Sequence, residues 1–190
     1  MLQYFTEHSR LAFVLAQEEA GKRGLVLIEP EHILLGILRQ GDCRGAQVLA
    51  HSGVDVEKLR DELSTHLSER SAHAPLQQEM QLHPKSKPVI DAAYEEARLL
   101  NHADVGTDHL LLGLLHLDGG LAVEALLLSG IDRDKLRETV RNWQGESAEP
   151  RSAKKTEQSK KASFFEGLHQ TIGRMEQSSS SDSDRGSEPT

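Results

Sequence analysis

One cysteine, Cys43, stands alone in 190 residues, so an internal disulfide and a cysteine-based zinc site are both excluded. No apolar run approaches the ~18 residues of a membrane span. The N-terminus, Met1-Leu2-Gln3-Tyr4-Phe5-Thr6-Glu7, lacks the basic stretch and apolar core of a signal peptide. Basic residues are outnumbered: 22 Lys and Arg face 30 Asp and Glu, a net charge of −8. That balance argues against a general nucleic-acid binder, which would carry a basic stripe. Hydrophobic residues make up only 37% of the chain, and the shortage falls in its Ser-, Lys- and Glu-rich last quarter. Gly21-Lys22 has no earlier Gly at phosphate-loop spacing and is followed by Arg23, so the nucleotide motif is missing too. A soluble cytoplasmic protein is expected, with neither nucleic acid nor membrane as partner.

What the sequence does have is a repetition. Glu31-His32-Ile33-Leu34-Leu35-Gly36-Ile37-Leu38 returns as Asp108-His109-Leu110-Leu111-Leu112-Gly113-Leu114-Leu115, 77 residues later. The offset holds without a gap: Glu18-Glu19-Ala20 meets Glu95-Glu96-Ala97, and Ser52-Gly53-Val54-Asp55 meets Ser129-Gly130-Ile131-Asp132. An ungapped tandem repeat means one structural unit used twice, here related by a pseudo-twofold.

Each unit reads as four helices. The first spans about 6–22, Ala- and Glu-rich and stopped by Gly21 and Gly24; its counterpart starts near Pro84 and ends near Asn101. The second is apolar all round, which predicts burial on every side. Gly36 and Gly113 sit inside these helices, where glycine costs about 1 kcal/mol relative to alanine; keeping it twice predicts a backbone approach too close for a methyl. The third helices cover 44–50 and 121–128, each closed by Ser-Gly, so Ser52 and Ser129 read as helix punctuation. The fourth follow Asp55 and Asp132 as N-caps. Val56, Leu59, Leu63 and Leu67 share one face there, as do Leu136, Val140 and Trp143. No segment predicts a strand. The expected architecture is all-α: a pseudo-twofold eight-helix bundle over 2–144, with repeat one about 2–68 and repeat two about 79–144. An exposed connector spans about 69–83. Residues 145–190 read as a mostly disordered tail, with one short amphipathic helix at about 162–177.

Glu31-His32-Ile33-Leu34-Leu35-Gly36-Ile37-Leu38-Arg39-Gln40-Gly41, preceded by Gln17-Glu18-Glu19-Ala20, resembles the Clp repeat domain. Val105-Gly106-Thr107-Asp108-His109-Leu110-Leu111-Leu112-Gly113-Leu114 is similar to that family's second repeat. The family forms the N-terminal domain of the ClpC and ClpA unfoldase ATPases, a bundle that binds substrates and adaptor proteins. The resemblance covers about three quarters of the chain, and it implies a free-standing Clp repeat protein without the motor. Its expected partners are protein substrates, Clp unfoldase or protease subunits; no cofactor and no catalytic residues are expected. A structural or regulatory scaffold unrelated to proteolysis is the alternative.

Glu31 and Asp108, each at the start of its buried helix, are the first candidate site residues. A carboxylate there complements the helix dipole by about 0.3–1 kcal/mol. The resemblance further implies that the acid holds the guanidinium of a phosphorylated arginine, which a carboxylate can grip through two parallel N–H donors. The resemblance also puts Thr6 in the first pocket. The position matching Thr6 in the second copy is His83, which departs from the family's hydroxyl. His32 and His109 do not offer the i, i+4 spacing of a zinc helix and are expected as packed imidazoles bonded to backbone carbonyls; no metal is expected. Cys43 lacks a base and an orienting group, so it reads as a structural thiol. In the tail, Phe164, Phe165, Leu168, Ile172 and Met175 form an apolar stripe at helical spacing, suited either to folding back on the bundle or to docking in a partner's groove.

Overall fold

The computed structural model describes residues 4–68 and 81–143. Repeat one comprises α1 (Glu7–Lys22), β1 (Leu27–Ile28), α2 (Pro30–Leu38), α3 (Arg44–His51) and α4 (Val56–Ser68). Repeat two comprises β2 (Gln81–Leu82), α5 (Ser86–Leu99), α6 (Thr107–Leu114), α7 (Leu121–Leu128) and α8 (Arg133–Asn142). The all-α, twice-four-helix architecture is the one the repetition implies. No described helix is long and apolar enough to cross a membrane.

Every residue of α2 and of α6 is buried. These two helices form the centre, and the apolar faces of the other six close one hydrophobic core around them. α1 lies along α2, and α5 along α6. A Cβ on Gly36 would stand 2.1 Å from the carbonyl oxygen of Ala12, and one on Gly113 would stand 2.3 Å from that of Val89. The two glycines therefore do what their duplication predicts. Leu59, Leu63 and Leu67 of α4, and Leu136 and Val140 of α8, are buried as their spacing requires. Ser52 and Ser129 close α3 and α7, followed by Gly53 and Gly130 at φ 88° and 83°.

Two expectations need correction. β1 and β2 are strands, paired in parallel through Leu27↔Gln81 and Ile28↔Leu82, and Phe5 and Val105 form an isolated bridge. Two-residue strands are too short to carry an alternating pattern. Pro84 stands before α5, not in its first turn: Ser86 N–H donates to His83 O at 2.8 Å, making a tight turn that delays the helix to Ser86.

These short pairings have a topological effect. The segment entering α5 pairs with the segment entering α2, and the segment entering α1 pairs with the one entering α6. Two buried serines repeat the exchange: Ser86 Oγ donates to Ile28 O, and Ser9 Oγ to Val105 O, both at 2.8 Å. Each repeat thus supplies the wall beside the other's buried helix.

Candidate functional site

Glu31 occupies the second position of α2 and is 7% exposed. It lies at the edge of a cavity of about 480 Å³ whose lining includes Glu29, Glu31, Lys85, Asp118, Leu121 and Ala122. α2 supplies one wall, the turn into α5 brings Lys85, and the α6–α7 turn with the start of α7 closes the far side. Three carboxylates and one ammonium give the cavity a net negative lining. The first turn of α7 adds the positive end of a helix dipole.

Asp108, the second residue of α6, is fully buried. Its surroundings differ. Arg44, at the start of α3, places its Nε 2.9 Å from Asp108 Oδ2. The N–H does not aim along that line, so the contact is an ion pair and not a directed hydrogen bond. Gly45 N–H donates to Thr107 Oγ1 at 2.8 Å, drawing α3 onto the start of α6.

The structure places the Thr6 and His83 positions on the opposite sides from those implied by the resemblance. Thr6 caps α1, accepting from Ser9 N–H at 3.2 Å, and its own N–H donates to Val105 O. It therefore stands next to the approach to α6, and it does not line the cavity at Glu31. His83 instead donates its backbone N–H to Ile28 O at 3.0 Å, beside the approach to α2. The cause is the strand exchange, which hands each entering segment to the other repeat.

His32 and His109 are buried, but they accept where donation to a carbonyl is expected. Glu29 N–H donates to His32 Nδ1 at 3.0 Å, and Gly106 N–H donates to His109 Nδ1 at 2.8 Å. Each imidazole reaches back from the third helical position to the N-cap, as Glu or Gln does in a capping box. Nδ1 of a neutral His109 being an acceptor, its proton lies on Nε2, which faces His102 Nδ1 at 2.7 Å. Burial pushes the pKa of both rings below 6.5; nearby Arg44 works in the same direction and Asp108 against it.

His102, Asp108 and His109 offer ligand atoms within 4.8 Å of one another, a grouping the sequence reading missed. As arranged it suits a metal poorly. Arg44 already neutralises Asp108, and the two facing ring nitrogens share one proton. Cys43 is buried and its thiol faces Ile37 O at 3.5 Å, a structural position. The apolar stripe Phe164, Phe165, Leu168, Ile172 and Met175 lies outside the described residues.

Arg44, Lys85 and Asp118 were also passed over as site residues. Arg44 is visible only by laying the repeats over each other, where it falls opposite Leu121 at the 77-residue offset.

The Clp repeat (R) N-terminal domain family matches residues 4–116 and, in a second overlapping match, 81–186. The chain belongs to this family. A ClpA homolog, an ATP-dependent Clp protease ATP-binding subunit from Cyanidium caldarium, is 36% identical over 149 residues, 78% of this chain and 17% of its own length. The negative regulator of genetic competence ClpC/MecB of Bacillus subtilis is 36% identical over 140 residues, 74% of this chain and again 17% of its own. The Clp repeat chain thus spans about a sixth of these relatives. Among solved structures, the N-terminal domain of ClpD from Arabidopsis thaliana aligns at TM-score 0.57 and 24% identity, covering 73% of this chain and 96% of that one. The N-terminal domain of the ClpV1 ATPase from E. coli aligns at TM-score 0.66 and 19% identity, covering 80% and 93%. These structural likenesses concern the fold, and both are to N-terminal domains.

Proposed function

We propose that this Clp repeat chain is a non-catalytic protein-binding module, an adaptor or accessory protein of the Clp protease system, and that it takes arginine-phosphorylated protein segments through the cavity at Glu31. One observation carries the proposal: a nearly buried carboxylate at the edge of a 480 Å³ cavity that also contains an ammonium and a helix start. A phosphorylated arginine is cationic at its guanidine and anionic at its phosphoryl group. Glu31 suits the first through paired N–H···O bonds. Lys85 and the first turn of α7 suit the second. The relatives support the setting, since proteins 36% identical to this chain include Clp ATPase subunits and a ClpB chaperone.

The test is fluorescence anisotropy with one peptide in arginine-phosphorylated and unphosphorylated forms. The phosphorylated form is expected to bind at least tenfold more tightly, with the preference lost in Glu31→Ala and weakened in Lys85→Ala. Equal affinity for both forms, or full binding by Glu31→Ala, would reject the cavity as the phosphoarginine site. Retention of Clp subunits from native lysate on the immobilised chain tests the adaptor role separately.

A further inference from the structure

We infer that the exposed end of α7, at Leu127 and Leu128, is the docking surface for the chain's own apolar stripe of Phe164, Phe165, Leu168, Ile172 and Met175. The surface lies at the opposite end of α7 from the cavity, whose lining includes Leu121 and Ala122, so the inference is independent of what binds at Glu31.

α7 is more apolar than its place in the bundle requires. Glu124 is its one polar residue, a composition that suits a helix buried all round. Ala122, Val123 and Leu126 are buried, yet Leu127 is 52% exposed and Leu128 89%.

The pseudo-twofold shows what kind of cover is missing. α8 packs on α3 as α4 packs on α7. At the end of α3, Trp143 sets its ring edge-on against His51, centroids 5.3 Å apart, and Ser52 Oγ donates to Thr139 Oγ1 at 3.4 Å. At the 77-residue offset, the twins of His51 and Trp143 are Leu128 and His66, and those of Ser52 and Thr139 are Ser129 and Glu62. Ser129 Oγ donates instead to Leu126 O, and both His66 and Glu62 are exposed. Among the described residues, the large ring that packs on the end of α3 has no counterpart at the end of α7.

Phe164 and Phe165 bring such rings, and the chain can deliver them. The turn 129–132 and α8 put Trp143 no more than about 35 Å from Leu128. The 20 residues from 144 to 163 would span about 25 Å on average as a flexible chain, and at most about 70 Å. Two leucines are too small a patch for a separate partner, since stable interfaces bury about 1,200 Å² or more. A tethered segment needs less, because its effective concentration is on the order of mM. Charge favours the same occupant. Between Arg151 and Ser163, five basic residues accompany one acid. Glu124 is exposed one turn before Leu128 on the same helix face.

Nuclear Overhauser spectra of the methyl-labelled full chain test the docking. Contacts from the ring protons of Phe164 or Phe165 to the methyls of Leu127 and Leu128 are expected, unchanged on dilution. Leu128→Asp, at a position water already reaches, should abolish them. Phe164→Ala/Phe165→Ala, which leaves the bundle's core untouched, should shift the methyl signals of those two leucines and few others. Absence of the contacts, contacts to another part of the bundle in their place, or methyl signals unmoved by the phenylalanine variant would overturn the inference. Contacts that fade on dilution would assign the patch to a second copy of the chain and overturn it equally.

Discussion

Glu96 is a fully buried carboxylate met by two partners: Arg137 donates Nε–H to Oε2 at 2.8 Å and a second N–H to Oε1, and His116 Nε2 lies 2.7 Å from Oε1. Its repeat-one twin, Glu19, is served likewise by Arg23 at 2.6 Å, Lys22 at 2.8 Å and Arg39 at 3.1 Å. Burial alone would raise the pKa of both acids, but the hydrogen bonds and charges of these partners outweigh it and hold both below 4.5. A carboxylate whose folded pKa is depressed binds its proton more readily when unfolded. Its stabilisation is present above the unfolded value and is lost as pH falls through the lower folded one. Arg137→Ala leaves the Glu96 charge buried with less compensation, a change that costs about 3–5 kcal/mol in buried pairs. Urea denaturation at pH 7 should show a loss of that order, and the acid-induced drop in stability should move to higher pH. A loss below about 0.5 kcal/mol, typical of exposed pairs, would mean that solvent reaches Glu96 freely.

At the scale of the element, the buried helices depend on features that local propensity disfavours. Gly36→Ala would gain about 1 kcal/mol of helix propensity, yet its methyl would meet the backbone oxygen of Ala12 at 2.1 Å. Backbone in a packed pair of helices has little room to yield. The substitution is expected to destabilise by about 1–3 kcal/mol, the usual range for overpacking, and a rise in melting temperature would contradict the close approach of α1 and α2. The capping imidazole of α6 brings a pH dependence of its own. His109 and His102 are held neutral with folded pKa values below 6.5, so the unfolded chain takes up protons first as pH falls. Stability is complete above 6.5 and declines from there toward the depressed folded values. His109→Gln keeps an acceptor for the N-cap but removes one titrating ring, so its melting temperature should fall less than the wild type's between pH 7.5 and 5.5. How much of this was legible follows from range. Helix faces, Ser-Gly stops and paired glycines lie within a few residues of their cause. The strand exchange, the position of Thr6 and the company of Arg44 depend on contacts with the other repeat, and no local pattern encodes them.

The two repeats are interlocked across the whole molecule. β1 and β2, and Phe5 with Val105, join them through backbone, and Phe5 packs edge-on against both Phe13 of α1 and Tyr94 of α5, with ring centroids 5.7 and 5.3 Å apart. Glu31 sits in a cavity completed by repeat two, and Asp108 is sealed by an arginine from repeat one, so neither seat exists within a single repeat. A repeat on its own would expose one side of its central helix together with the segment that should pair across. The described bundle should therefore unfold as one cooperative unit. Trp143, the chain's one tryptophan, offers a probe of the boundary: it follows α8 of repeat two and packs edge-on against His51 of α3 at 5.3 Å. Its fluorescence reports the contact between repeats, whereas far-ultraviolet circular dichroism reports helices in both. In urea the two signals should share one midpoint and one slope. A fluorescence change that clearly precedes the loss of helix would mean that the repeats part before they melt, and that the cavity at Glu31 can open without unfolding α2.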